Sequence, residues 1–180
     1  MKKFLLLVIF PFILSCNNTG GDKPALDFFQ KLNMKKIAAH EMAEDIPDSI
    51  AAAGEYVYVP VYSSIYYRDS TKVYNLTVTL GIRNTDTAND IFIKEINYNN
   101  SQGENVMKFL KKPVRVKPLE TFDLVIAEDD TTGGIGANFI VKWISKSPVQ
   151  SPIIEAVMIS IRQGVGISFV EQGRVIKKVR

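Results

Sequence analysis

The chain has 180 residues, 46% of them apolar, and a formal net charge of +3. That length suits one domain with an appended segment, and the apolar share suffices for a sizeable core. Removing Lys2 and Lys3 with the segment that carries them leaves 20 basic against 19 acidic side chains. Such a balance argues against a nucleic-acid partner, because phosphate binding needs a concentrated basic patch. The run Lys108, Lys111, Lys112, Arg115 and Lys117 reads as a solvated strand edge, where positive charge deters unwanted pairing.

At the amino terminus, Met1-Lys2-Lys3 is a short positive stretch and Phe4 to Leu14 an apolar one interrupted only by Pro11. It is too short to span a bilayer and reads as a secretory signal over residues 1–15. Cys16 is the only cysteine, so no internal disulfide forms, and a lone cysteine in an exported chain needs another role. Ile13-Leu14-Ser15-Cys16 resembles the lipobox of bacterial lipoproteins, with Leu14 bulkier than the usual residue at that place. The resemblance implies cleavage before Cys16, a diacylglycerol on its thiol and acylation of the new amino group. Each buried CH₂ contributes about 0.8 kcal/mol, and stable anchoring takes two or more chains. Residues 16–24, with Asn17-Asn18-Thr19-Gly20-Gly21-Asp22, read as a short polar tether.

Residues 25–54 read as a helical linker. The helical pattern runs from Pro24 to Asp45, with Leu26, Phe29, Asn33 and Ile37 near a 3.6-residue period and Pro47 as its stop. Asp48-Ser49 cap a further short turn. The single histidine, His40, has no Cys, Asp or second His at ligand spacing and no Ser in a strained elbow, so it reads as a half-exposed surface residue.

Residues 55–180 read as strands. Val57, Val59 and Val61 alternate with Tyr56, Tyr58, Pro60 and Tyr62 over a segment reaching Tyr67, and Pro60 marks an edge strand or a break. Arg68-Asp69-Ser70 turns into the strand that organises the rest: Leu76, Val78, Leu80 and Ile82 alternate with Thr77, Thr79, Gly81 and Arg83. In Asp90 to Asn100 the apolar parity slips near Lys94-Glu95, which predicts a bulge. Short strands follow at Val106–Leu110 and Pro113–Val116. Phe122, Leu124 and Ile126 share one face of the next strand, and Phe139, Val141 and Trp143 share one face of Asn138–Ser145, with Trp143 plugging the core. Ile153 to Arg162 puts Val157, Ile159 and Ile161 on one side. A Gly break leads to Gly164–Val170, and Glu171-Gln172-Gly173-Arg174 makes a last turn before a basic tail. The spacing predicts an all-β, immunoglobulin-like antiparallel β-sandwich with a short N-terminal helical segment.

Four stretches carry a family likeness: Tyr56 to Tyr66, Asn75 to Asp86, Asp130 to Phe139 and Gly164 to Val170. Together they resemble an exported bacterial family, the domain of unknown function three-one-two-four, from about Gly54 to the end. The resemblance implies the domain boundary and an exported location, and it transfers no catalytic residue. The strand pattern also looks like the immunoglobulin-like accessory domains of bacterial envelopes.

Two surfaces are candidates for chemistry. The loop Glu128, Asp129, Asp130, Thr131, Thr132, Gly133, Gly134 to Asn138 has oxygen ligands of the kind Ca²⁺ takes, without the spacing of an EF-hand. Its glycines could present N–H groups to an anion, but no helix follows it. It reads first as a tight connection in which Gly permits positive φ and Asp caps turns. Arg83 or Arg162 could pair with it. The tyrosines Tyr56, Tyr58 and Tyr62 could form an aromatic ledge, or sheet cover with hydroxyls at the rim. No Ser–His or Cys–His pair is available, so neither a catalytic residue nor a cofactor or metal ligand is assigned. The expected function is a lipid-anchored, non-enzymatic module of the cell envelope, facing the periplasm or the surface, that binds an envelope protein. The alternative is a small-ligand or glycan binder, Ca²⁺-dependent through residues 128–138, and the least favoured is a hydrolase using the loop carboxylates.

Overall fold

The structure, a computed structural model, describes residues 24–162 and 164–179. The expected signal segment, Cys16 and all of the expected tether but Pro24, which begins the first helix, lie outside the described residues. Among the described residues no helix is long and apolar enough to cross a membrane.

In chain order the elements are α1 (Pro24–His40), a 3-10 turn (Asp48–Ile50), β1 (Ala53–Val61), β2 (Ser64–Tyr67), β3 (Asp69–Asn75), β4 (Thr77–Arg83), β5 (Ile91–Asn99), β6 (Asn105–Lys108), β7 (Val114–Val116), β8 (Thr121–Ile126), β9 (Ala137–Ser145), β10 (Ile153–Arg162), β11 (Val165–Gln172) and β12 (Arg174–Lys178). They form an all-β antiparallel sandwich with one helix near the N-terminus. The larger sheet runs β12-β1-β9-β5-β6, with β7 also pairing β5, and the smaller runs β11-β10-β4-β8. β2 and β3 make a separate hairpin.

The period of two in β4 does what alternation on a pleated strand demands. Leu76, Val78, Leu80 and Ile82 are all fully buried, facing Val57, Val59 and Val61 of β1 and Phe139, Val141 and Trp143 of β9 across the core. β4 is an inner strand, between β10 and β8. The parity slip in β5 is a real irregularity, because its register with β9 shifts between Ile93 and Glu95. β9 is buried on both faces, since residues of the 42–51 segment lie over its outer side: Ile46 and Ala51 cluster with Phe92 and Ile144.

Several boundaries differ from the sequence reading. α1 ends at His40, short of Asp45, because Glu41 leaves the helix to bridge Val114 and the Met42 N–H donates to the Pro113 carbonyl. The valine–tyrosine strand stops at Val61, and the next segment pairs with Asp69–Asn75 as its own hairpin, so Tyr74 and Asn75 belong to β3. Pro60 fits its place: β12 pairs β1 only at Glu55–Tyr58, so past Tyr58 β1 has β9 alone beside it. Arg174–Lys178 is a strand, and Gly173 is not a reversal. One residue is too few for a hairpin loop. The chain runs straight on from β11 to β12 and changes sheets at Gly173.

The two edges of the smaller sheet are finished differently. Along β8, α1 closes the edge: the Asn33 amide donates to the Val125 carbonyl at 2.7 Å, and the Val125 N–H donates to the Asn33 side-chain oxygen at 2.9 Å. Lys36 pairs with Asp123 and His40 with Glu120 along the same line. On the opposite side, β11 pairs only with β10.

Candidate functional site

The acidic glycine-rich loop joins β8 of one sheet to β9 of the other, and its polar groups are taken up locally. Glu128 accepts from the Ser160 hydroxyl at 3.2 Å and from Arg162 at 3.4 Å. Arg162 is thus the arginine that meets the loop, whereas Arg83 pairs with Glu155. Asp130 is buried and turns its carboxylate on Thr132, accepting from the N–H at 3.0 Å and the hydroxyl at 2.6 Å. This is an Asx-type turn, the local use that Asp serves best. Asp129 is half-buried between them, and Thr131 is exposed.

The rest of the loop buckles three strand ends together. The Gly134 carbonyl accepts from the Ser63 N–H at 3.1 Å and its hydroxyl at 2.9 Å. The Gly133 carbonyl accepts from the Ser101 N–H at 3.0 Å, and the Ser101 hydroxyl in turn accepts from the Gly136 N–H at 2.8 Å. Asn138 accepts from Asn99 at 2.9 Å. Gly133 admits no side chain, since a Cβ there would sit 1.8 Å from the Tyr98 hydroxyl. Among the described residues no group of three His, Cys, Asp or Glu side chains converges as a metal site.

The three candidate tyrosines part company. Tyr56 and Tyr58 lie on the outer face of the larger sheet, opposite Lys142 and Ile140 of β9. The Tyr56 ring is already engaged, with the Lys142 and Lys177 ammonium groups 5.3 and 5.4 Å from its centroid. Lys142 is itself buried, bonded to Asp48 at 2.6 Å with Glu95 at 3.8 Å. Burial works against its charge, but Asp48 and Tyr56 outweigh that and hold its pKa above the ordinary value. Tyr62 turns toward the core and meets Phe169 edge-on at 5.8 Å.

His40 is fully used. One ring nitrogen lies 2.8 Å from the Lys36 carbonyl and the other 3.3 Å from Glu120, with the ring edge-on to Phe122. Glu120 is partly desolvated, yet the Lys117 N–H and His40 hold its carboxyl below the usual value.

Alternation in the sequence did not reveal which side of β10 is inside. Ile154, Ala156, Met158 and Ser160 are buried, and Val157, Ile159 and Ile161 face outward. With Val170, which pairs with Val157, they make an apolar stripe, whose most exposed member, Ile161, is 74% accessible, and Glu155 separates the stripe from Ile153. Both parities of β10 are apolar, so periodicity alone could not choose. The two apolar parities were the only signal available. A groove of about 280 Å³ lies between α1, β8 and the end of β6, lined by Phe29, Met34, Ile37, Met107, Phe109 and Ala127.

A family model described as "Protein of unknown function (DUF3124)" matches residues 54–176. The chain belongs to this family. For this DUF3124 member the match takes in β2 to β11 whole and nearly all of β1, and leaves α1 outside it. No curated protein matches the sequence. Among solved structures the DUF3124 chain is similar to one from Thermotoga maritima, titled "Crystal Structure of Thermotoga maritima 1070", at 10% identity and a TM-score of 0.38 over 67% of this chain and 92% of that one. At that TM-score the likeness carries no functional weight.

Proposed function

We propose that this DUF3124 protein is a lipid-anchored module of the bacterial cell envelope that acts by binding another envelope protein rather than by catalysis. The observation that supports binding is the outward apolar stripe of Val157, Ile159, Ile161 and Val170 on β10 and β11. A contiguous exposed apolar surface is costly to keep in water and marks interaction sites. The anchor rests on the lipobox-like Ile13-Leu14-Ser15-Cys16. The non-catalytic reading draws on how the reactive groups are spent: His40 on Lys36 and Glu120, Glu128 on Ser160 and Arg162, Asp130 on Thr132.

The test is affinity capture from detergent-solubilised envelopes with the full chain and with Ile159→Lys and Ile161→Lys, each at an exposed position. A protein held by the native chain and by Thr87→Lys, but lost from both stripe variants, is the expected result. Equal capture by all four would overturn the stripe as the binding surface. Mass spectrometry of Cys16 tests the anchor, and an unmodified thiol there would remove it.

A further inference from the structure

We infer that two copies of this chain join edge to edge through β11, antiparallel about a two-fold axis at Ser168, to make one continuous sheet. The inference goes beyond the binding of a partner at the stripe and does not depend on it.

An uncovered strand edge presents a row of N–H and C=O groups that invites another strand, and proteins blunt such edges with cover or charge. Two edges of this sandwich are blunted. α1 lies along β8, with the Asn33 carboxamide bonded to both polar groups of Val125. β12 carries Arg174, Lys177 and Lys178 among its five residues, all exposed. β11 has neither device. Its eight residues hold one charged side chain, Glu171, and no proline, and β10 is its only partner.

The core is also unfinished along β11. The inward positions of β10 next to it, Ala156, Met158 and Ser160, are buried. Their neighbours Glu171, Phe169 and Ile167 are only half-buried. One further strand would complete their burial.

A second copy fits this edge in register. A two-fold at Ser168 sets Ile167 opposite Phe169 twice, an aromatic and β-branched pair of the kind that stabilises sheets. Outside, Val170 lies opposite Gly166, which leaves room for it, and Ser168 meets Ser168. No like charges oppose each other. Glu171 of the second copy falls across Val165, whose neighbour on β10 is Arg162, so opposite charges share a row on each side of the axis. The basic β12 strands run on from β11 in opposite directions and end far apart. Because α1 occupies the β8 edge, growth of this sheet closes at two copies rather than continuing as a fibre.

Ser168 is exposed, so substitutions there leave the fold intact. In the full chain, Ser168→Cys should oxidise to a disulfide-linked dimer, since directly opposed Cα atoms lie within disulfide range. Thr87→Cys, on an exposed loop, should give none beyond that of the native chain. Ser168→Lys and Ser168→Glu should each weaken the dimer by roughly two- to fivefold, and mixing the two should restore it. Sedimentation of the full native chain in density-matched detergent should report twice the mass of one chain. A native monomer with no Ser168→Cys dimer overturns the inference. So does a different polypeptide trapped at Cys in place of Ser168, which would leave the envelope-binding reading intact.

Discussion

Asn33 is bonded to Val125 as one strand is to the next. Its carboxamide offers the same donor and acceptor as a peptide group, and both meet the Val125 backbone, at 2.7 and 2.9 Å. The residue is buried, 92 positions away along the chain. One side chain thus supplies at this point what a fifth strand would have supplied to the smaller sheet. Asn33→Leu keeps the volume and leaves two buried polar groups unanswered, which costs about 1–3 kcal/mol. Urea unfolding should show that loss, and hydrogen exchange should show the Val125 amide opening first. Asn33→Asp keeps the acceptor for the N–H but faces the Val125 carbonyl with a carboxylate, and should be no better than Leu.

The strands were legible because alternation is a direct consequence of the pleat. β4, β8 and β9 stand where Leu80, Leu124 and Val141 predicted, and even the β5 irregularity showed as a slip in parity. Edge chemistry was not legible. Asn33 falls on the periodic face of the helix with Leu26, Phe29 and Ile37, but nothing local says that its partner is Val125. The same holds for Gly173, which resembles any turn glycine until its neighbours in both sheets are known. The loop at 128–138 could be read as strained and structural from its Asp and Gly content, but its anchors, Ser63 and Ser101, lie in distant turns that no spacing rule reaches.

Tyr98 sets an alkaline limit on stability. It is fully buried, and burial pushes its hydroxyl from 10.0 up to about 12, with Ser63 offsetting part of the rise and Asp130 adding to it. The fold holds the neutral phenol. Below pH 10 both folded and unfolded forms are neutral and its contribution is complete. As pH rises toward 12 the unfolded chain ionises first, and that stability is lost. A two-unit difference corresponds to roughly 3 kcal/mol at most. Tyr98→Phe should flatten the decline in denaturant midpoint between about pH 10 and 12; an unchanged slope would place the titration elsewhere.

Gly133 is the counterpart of that tyrosine. A Cβ at this position would meet the Tyr98 hydroxyl at 1.8 Å and the Ala137 Cβ at 2.8 Å. Gly133→Ala should destabilise by about 1–3 kcal/mol, the usual cost of overpacking. Adding Tyr98→Phe removes the nearest atom but leaves the ring carbon Cζ at 2.6 Å and Ala137 at 2.8 Å, so the double variant should recover only part of the loss. Full additivity in a double-mutant cycle would mean that the two residues do not touch.

Lys142 and Asp48 should respond unequally to loss. The lysine is buried and the aspartate side chain is 44% exposed, at 2.6 Å. Removing the acid strands a buried ammonium, with Glu95 at 3.8 Å as its remaining carboxylate. Removing the lysine also removes its desolvation cost. Asp48→Ala should therefore cost about 1–2 kcal/mol, less than a sealed pair would because water reaches the acid, while Lys142→Met costs about 1 kcal/mol or less. Thermal unfolding of the two variants decides the order, and the reverse order would mean that Lys142 contributes mainly through Tyr56, whose ring lies 5.3 Å from its ammonium.

Gly173 controls the passage between sheets. Its N–H donates to the Ile154 carbonyl at 2.8 Å, and a Cβ would lie 2.6 Å from Val57 and 2.8 Å from that same carbonyl. The first neighbour is in the larger sheet and the second in the smaller, so any side chain pushes the layers apart where the strand crosses. Backbone cannot yield as a flexible side chain can. Gly173→Ala should loosen β12 from β1 before it affects β10 and β11, because β12 is held by four register pairs with β1 and ends in exposed residues. Hydrogen exchange should then rise at β12 and along β1 between Glu55 and Tyr58, with β4 unchanged. A uniform rise across both sheets would instead mean that the crossing is part of the cooperative core.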